Sequence, residues 1–488
     1  LRLIPAWDQA TQEMVAHGLE PPYRFVSDTE LRILQSLPSD PGLTIRVLRD
    51  EDGLAIQSCI GGELAAPKAF SEVAERSALD WSHYWDRLPD LVYGDSSIQS
   101  ALEYSLWKLH AMLHPKGVAA TLQGPWMEAQ RIPLWNNDYH FNINLQMVYQ
   151  PCLDLGLYDH LKPLWRLLAD WLPDMRIRGE KFFAVPGAIM LPHAVDDRGM
   201  PIGSYWQGSI DHVSTSWIAI MAWQAAEASL DRELALTVAM PYMEGTFEGF
   251  WAMLERVDDA LCLPISVSPE FGEGAPGTWG KNASYALAAL HRLVLELDRA
   301  ALWLDRSPDP RWQEVSRKLP KYAGVIAPNG PYDDQARKAV QIGLWEGQDL
   351  TESHRHHSHL AGIYPFDVFN GHDVDVVEQS LRHWAKLGGG QWSAWGVIWA
   401  VCIMARSGWV DGARAWLRFL INASLNEGKS ISAGGARGCF VSWGSPEHAR
   451  IYRSEGDHEV MQLDANLGLI SAVCEILAAE AAAQWGLG

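Results

Sequence analysis

Cysteine is scarce: six in 488 residues (Cys59, Cys152, Cys262, Cys402, Cys439 and Cys474), with no CxxC pair among them. That spacing excludes a disulfide-stapled scaffold and the cysteine zinc motifs, and most of the six sit in apolar runs, as buried free thiols do. Positive charge is also short. Lys and Arg number 39 against 60 Asp and Glu, a formal net charge of -21. Nucleic acids and anionic membranes are held by clustered cations, so neither is expected as a partner, and a neutral ligand is. No apolar run is expected to reach membrane-spanning length. The chain begins at Leu1. As given it carries no export signal, so a cytoplasmic place is the expectation, with a secreted or periplasmic one if a signal peptide has been removed.

What is abundant is apolar surface. Hydrophobic residues make up 48% and charged residues 20%, enough for a large core in a globular chain. The length suits two or three domains, or one large toroidal domain with an appendage. Tryptophan is unusually frequent, at 24 residues. Indole rings fill cores, and their flat faces also stack on the apolar faces of sugar rings.

Residues 22–64 contain "YRFVSDTELRILQSL" and "LTIRVLRDEDGLAIQSCIGG", β-branched and apolar runs broken by Asp-Pro-Gly and Asp-Gly. They read as a few strands, too few for a complete sandwich. Residues 1–80 are therefore expected to be a small β-rich segment with a linker. From about residue 97 apolar residues recur at three- and four-residue spacing. Examples are "SALEYSLWKLHAMLH", "HVSTSWIAIMAWQAAEASL", "NASYALAALHRLVLELDRAALWL", "DDQARKAVQIGLWEG" and "NLGLISAVCEILAAEAAAQW". Roughly a dozen helices without a strict sequence repeat, joined by alternating short and long connections, suit a ring of helical hairpins over residues 81–488. In such a mainly α toroid the long loops gather at one end and carry the site.

The unusual polar residues lie on those loops. Glu270 and Glu273 sit on a Pro- and Gly-rich stretch, where a carboxyl near apolar neighbours can hold a proton for general acid catalysis. Asp464 precedes an apolar helix and is either its N-cap or a carboxylate at the mouth of the ring. Asn142 and Asn144, in "NDYHFNINLQ", face the same way only if their segment is extended. Two amides can then orient a water for an adjacent Asp, or tie loop backbone together. His354, His356, His357 and His359 in "HRHHSH" lack the Cys or carboxylate partners of zinc motifs. Hydrogen bonding to substrate hydroxyls, with Arg355, is expected of them instead of metal binding.

Five stretches in the same order resemble glycoside hydrolase family 95, inverting enzymes acting on terminal α-L-fucose and, in some members, α-L-galactose. They are "TLQGPW" with "WNNDYHFNINLQMVYQP", "SVSPEF", "SHRHHSHLAGIYP", "GGGQWSAWGVIWA" and "QLDANLG". The resemblance implies an (α/α)6 barrel with Glu270 as general acid and Asp464 as base through a water held by Asn142 and Asn144. His140, Trp217, Arg355, His356 and Trp392 would bind the sugar. The expected partner is an oligosaccharide or glycoside, with no cofactor and no metal. An inverting pair of carboxyls stands roughly 6.5–9.5 Å apart to admit the water. The sequence departs from the family pattern at "MLPHAVDDRG" (190–199), with His193 and Asp196 in place of the family's "HHNTD", and at Ala465 in place of a glycine. The alternatives are an α-L-galactosidase or another α-glycosidase, a polysaccharide lyase on the same toroid, and a non-catalytic carbohydrate-binding ring.

Overall fold

The computed structural model describes residues 8–16, 18–36, 40–49, 53–125, 134–202, 206–327, 339–369, 371–425, 429–431 and 463–485. Two compact units emerge, Leu1–Asp90 with Met127–Asn136, and Leu91–Trp126 with Asn137–Gly488.

The first unit holds helix α1 (Asp8–Ala16), strands β1 (Tyr23–Val26), β2 (Glu30–Leu34), β3 (Leu43–Arg49) and β4 (Leu54–Ile60), and helix α2 (Phe70–Trp85). The strands form an antiparallel meander in chain order. Alternation sets its faces: Leu31 and Ile33 are buried while Arg32 between them is exposed. Opposite charges then lie in register, with Glu30 across from Arg46 and ion-paired to it. The two helices are not legible in the sequence, because α2 is largely polar and buries only Tyr84.

In the second unit the helices are α3 (Ser96–Met112), α4 (Asn144–Asp154), α5 (Lys162–Phe183), the one-turn α6 (Trp206–Ile210), α7 (Val213–Ser229), the short α8 (Arg232–Leu234) and α9 (Met240–Met253). Then come α10 (Ser284–Trp303), α11 (Pro310–Lys318), α12 (Val374–Leu387), α13 (Ala394–Arg406), α14 (Val410–Ser424) and α15 (Leu463–Trp485). Two-stranded antiparallel sheets interrupt them: β5 (Tyr139–His140) with β6 (Ala194–Val195), β7 (Glu255–Val257) with β8 (Ala260–Cys262), and β9 (Gly324–Ala327) with β10 (Ala339–Ile342).

Helices α10, α7, α4, α15 and α13 follow one another as neighbours around an inner ring. The 358–366 segment closes it, since the Trp399 indole on α13 donates to the Tyr364 carbonyl and Arg292 on α10 donates to that of Phe366. Helices α3, α5, α9, α11 and α14 pack outside. This is the expected (α/α)6 toroid, and composition decides which helix goes where. Inner α13 is buried at every residue from Ala394 to Ala405, whereas outer α14 buries only Ala413, Leu417, Leu420, Ile421 and Ser424, a single stripe.

Three expectations need correction. "DDQARKAVQIGLWEG" is not a helix where it is described. Ala339–Ile342 is strand β10, paired with Gly324–Ala327, and residues 333–338 lie outside the described residues. The β-branched Val340 and Ile342 fit a strand better than their spacing suggests. An apolar stretch of membrane-spanning length does exist, at Leu463–Gln484. It is the inner helix α15, packed against α3, α4, α13 and α14. Finally, Asn144 is helical rather than extended. Of the cysteines, Cys152, Cys262 and Cys402 are buried and free, Cys59 and Cys474 are free and partly covered, and Cys439 lies outside the described residues.

The 188–195 loop, which carries His193, is seated by two glycines. A Cβ on Gly179 of α5 would meet the Ala188 carbonyl and come within 2.6 Å of the Ile189 Cα, and one on Gly245 of α9 would lie 2.5 Å from the Ile189 side chain. The Ile189 amide also donates to the Gly245 carbonyl at 2.9 Å. Gly179→Ala would gain about 0.5–1 kcal/mol of helix propensity. Because the obstruction is backbone, the overpacking cost of about 1–3 kcal/mol wins. A net loss of stability in urea unfolding is expected, and a more stable variant would mean that this loop is not held by the close approach.

Candidate active site

The site is built from the chain that runs into α4. Antiparallel pairing of β5 with β6 sets His140 opposite Ala194, and the Phe141 amide donates to the His193 carbonyl at 2.7 Å. The His140 and His193 rings consequently meet edge to face, with centroids 4.9 Å apart. Asp138, buried upstream, contacts His140 Nδ1 with both oxygens at 3.1 Å. Burial alone would lower the His140 pKa. The Asp138 hydrogen bond and charge, with further pull from Glu270 and Asp464, outweigh it and raise the pKa.

Residues 141–143 then turn, and α4 starts at Asn144. The turn separates the two amides. Asn142 Nδ2 donates to Glu270 Oε1 at 2.8 Å, and Asn144 Nδ2 donates to Asp464 Oδ2 at 2.6 Å. The expected arrangement, both amides facing one way from an extended segment, is therefore not the one adopted. Each amide serves a different carboxylate.

Glu270 is held in the left-handed backbone region, φ 57°, which non-glycine residues rarely occupy and which often marks a functional constraint. Its surroundings fix it there. The Ser268 and Ser358 hydroxyls share a 2.5 Å hydrogen bond, and the next ring, Phe271, packs edge-on to Trp345. Arg355 forms an ion pair with Glu270 Oε2, and His356 Nδ1 is 3.9 Å from the same oxygen. His356 Nε2 lies 3.2 Å from Asn142 Nδ2, which suits a neutral imidazole accepting there. Burial and the neighbouring Arg355 hold its pKa well below the usual histidine range. Asn142 Oδ1 is buried and makes no hydrogen bond among the described residues. The side chain of Glu273 lies outside the described residues.

Asp464 is fully buried in the first turn of α15, where the helix dipole favours an anion. Its Oδ1 accepts from the Ala465 amide at 2.6 Å. Burial pushes its carboxyl up to about 6, although Asn144, the Ala465 amide and the charge of His140 pull the other way. Two residues on, Asn466 exchanges two 2.9 Å hydrogen bonds with the backbone of Ile431. It also accepts from buried Lys108 Nζ at 2.8 Å. The Asp-Ala-Asn stretch thus places its acid inward and uses its amide to anchor the helix start.

The "HRHHSH" histidines divide their work. His354 lies 3.4 Å from the Glu270 carbonyl, whereas His357 Nε2 donates to the Gly396 carbonyl at 2.8 Å and its Nδ1 accepts from the Trp384 indole. The indoles expected to bind sugar are in the core. Trp217 is 3% exposed, against Phe366 and Trp399, and Trp392 is 5% exposed, stacked on Trp384 and against His357 and Trp416. Burying these large rings is worth more than presenting them. Trp395, by contrast, packs edge-to-face with His356 at 4.8 Å. Trp395 and Asp138, which lie within the motif stretches but to which the resemblance assigns no role, and His193, which lies outside them, join the site. Their signals in the sequence are the alternation Asp138-x-His140, the second Trp of "GGGQWSAWG" and the histidine in the divergent 190–199 loop.

The profile of the glycosyl hydrolase family 95 catalytic domain matches residues 94–477. "Alpha-L-fucosidase 2" of Arabidopsis thaliana is 24% identical over 403 residues, which cover 78% of this chain and 43% of that protein. "Probable alpha-fucosidase A" of Aspergillus niger is 24% identical over 412 residues, 79% of this chain and 46% of that one. The match thus spans less than half the length of either curated relative. Among solved structures, "Putative kojibiose phosphorylase from human microbiome" aligns with a TM-score of 0.62 at 12% identity, over 92% of this chain and 68% of that one. "Glycosidase Wild Type" aligns at 0.55 and 13% identity, over 79% and 98%. At such identities the structural likeness carries the helical ring and nothing about substrate.

Because Asp464 titrates at about 6 when folded and ordinarily at 3.8, the folded chain keeps a proton that the unfolded chain gives up between those values. Stability contributed at this position is therefore lost as pH rises from about 4 to 6. Asn would set an NH2 group against one of the two donors on this carboxyl, a cost present at both pH values, so the effect of Asp464→Asn should be more favourable at pH 7 than at pH 3.5 by about 1–3 kcal/mol. Thermal unfolding at the two pH values tests this, and an equal effect at both would show that the buried charge carries no cost.

Proposed function

The chain belongs to glycosyl hydrolase family 95, and from that membership we propose that it is an inverting exo-glycosidase releasing a terminal α-L-fucose, or a closely related sugar, from an oligosaccharide. The observation that carries the reading is the bridging of two carboxylates by amides two residues apart. Over two residues the backbone spans at most about 7 Å, and His140 lies within electrostatic reach of both Glu270 and Asp464, which supports reading the two acids as parts of one site. Such a pair suits a single-displacement hydrolysis in which one group protonates the leaving oxygen and the other deprotonates the attacking water.

Asp464 is the base in this reading. A carboxyl titrating at about 6 is ionised at neutral pH yet more basic than an exposed aspartate. Asn144 fixes which of its oxygens is free to receive the proton of the water. Glu270 is the acid. Asn142 donates to Oε1, so the transferable proton belongs on Oε2, where Arg355 now reaches. Sugar binding that draws Arg355 onto a ring hydroxyl releases Oε2 for that proton. Asn142 Oδ1, His356 and His140 offer further hydrogen bonds to sugar hydroxyls. The divergent 190–199 loop puts His193 beside His140, which makes that corner the place where the sugar is selected.

A second reading exchanges the roles, because the buried, proton-retaining carboxyl is Asp464 and the ion-paired one is Glu270. Fluoride leaves without protonation. On α-L-fucosyl fluoride, therefore, loss of the acid is tolerated and loss of the base is not.

With aryl and α-1,2-linked fucosides, proton NMR should show β-L-fucose as the first product. Glu270→Ala and Asp464→Ala should each lower kcat by about 10²–10⁴-fold with folding intact. Turnover surviving both changes, or first release of the α-anomer, overturns the assignment. Retained activity of Glu270→Ala, but not Asp464→Ala, on the fluoride confirms the roles given, and the opposite pattern exchanges them.

kcat/KM should also fall below about pH 6 as Asp464 takes up its proton. Asn144 lowers that pKa by its hydrogen bond, so Asn144→Ala should move the acid limb to higher pH. A limb that stays in place removes Asp464 from the titration.

A further inference from the structure

The β5–β6 pair and the 262–274 loop bring three potential metal ligands together: His140, His193 and Glu270 each offer one donor atom, and these atoms lie within 4.8 Å of one another. A tetrahedral zinc ion with bonds of 2.0–2.1 Å needs donors about 3.3 Å apart, a closing that side-chain rotation can supply. Two imidazoles and one carboxylate, with a fourth position left to solvent, is a donor set that zinc accepts.

Details of each ligand favour coordination. Asp138 faces His140 Nδ1 and so makes it the protonated nitrogen, which puts the lone pair on Nε2. This carboxylate–histidine relay is the outer-shell support that zinc-binding histidines use. His193 is buried, and its ring meets that of His140 edge to face at 4.9 Å between centroids, so the two imidazoles are already side by side. Glu270 keeps coordinating capacity beside Asn142 and Arg355, since a carboxylate can accept about four bonds. The Arg355 cation opposes a metal ion here, but Asp138, Glu270 and Asp464 outnumber it.

We propose that His140, His193 and Glu270 form a site for a zinc-type transition-metal dication, and that the bound ion reversibly inhibits the hydrolase. The inhibitory half rests on the proposed function: an ion on Glu270 keeps its carboxyl from carrying a proton to the leaving oxygen, and it occupies the corner where a sugar would meet His140. Of the "HRHHSH" histidines, His357 is tied to Gly396 and Trp384 and His354 faces the Glu270 carbonyl, and among the described residues none of the four belongs to a group of three potential ligands.

The test is calorimetric titration of the full chain with zinc chloride in a non-chelating buffer, without sugar. A parallel titration with cobalt(II) reads coordination from its visible absorption. One equivalent should bind to the unaltered protein, with a tetrahedral cobalt spectrum. His193→Ala and the isosteric Glu270→Gln should abolish that binding, and Asp138→Asn should weaken it about 10–100-fold. Circular dichroism melts establish that each variant is folded. Absence of stoichiometric binding, or equal binding by His193→Ala and Glu270→Gln, overturns the site. Fucoside turnover should fall with added zinc, competitively with substrate, and return on chelation. A chain that binds zinc through these residues but hydrolyses nothing overturns the proposed function and leaves the site. One that hydrolyses and binds no zinc does the reverse.

Discussion

The two amide hydrogen bonds from one turn, Asn142 to Glu270 and Asn144 to Asp464, are the constraint on which the rest of this site depends. They bring acids 194 positions apart in sequence under the control of three consecutive residues. An amide is suited to the task because it donates without adding charge. A lysine at 144 would stabilise the Asp464 carboxylate and draw its pKa toward the ordinary range. An aspartate there would repel it. The neutral donor leaves desolvation dominant, and desolvation keeps Asp464 basic.

The helical ring makes such a turn possible. Inner helices α7 and α13 are apolar around almost their whole circumference, so their walls offer little polar chemistry. Polar residues must therefore come from helix starts and the connections between helices. Asn144 opens α4, Asp464 lies in the first turn of α15, and Ser393 caps α13 just before Trp395 meets His356. Helix starts also concentrate unpaired amide N–H groups, which favour carboxylates. Fold and chemistry thus follow from one division of labour, with apolar walls for stability and polar ends for the site.

What is legible in the sequence reflects the same division. The inner helices are readable because long apolar runs with three- and four-residue spacing fit a buried helix far better than a strand. Glu270, Asp464, Asn142 and Asn144 stand out on loops, but singly each also fits a loop carboxylate, an N-cap or a backbone tie, and the resemblance to the family motifs is what groups them. The conformation between them is not legible. Alternation in "FNINL" fits a strand, and only the start of α4 at Asn144 turns the pair apart. Strand β10 misleads in the opposite sense, since Val340 and Ile342 occur in a stretch whose spacing also fits a helix. Trp217 and Trp392 show a further limit. An indole in a family motif can face a sugar or fill the core, and the choice depends on partners such as Trp399 and Trp384, which are distant or unmarked in the sequence.

The site is also where the chain accepts unfavourable terms. Glu270 has a left-handed backbone, at a cost on the order of 1–3 kcal/mol. Asp464 carries a buried carboxyl whose ionised form is disfavoured. Lys108 is buried as well, with its ammonium on Asn466 and Ser430. None of these would persist in a fold that minimised its own free energy residue by residue. They persist because the packed ring over-determines them: Ser268 with Ser358 flanks Glu270, Asn144 and the α15 amide hold Asp464, and Asn466 locks the Ile431 backbone. Relaxing any one would yield a more ordinary backbone or pKa. It would also change the proton affinity of Asp464 or the orientation of Glu270, on which the proposed two-sided hydrolysis rests.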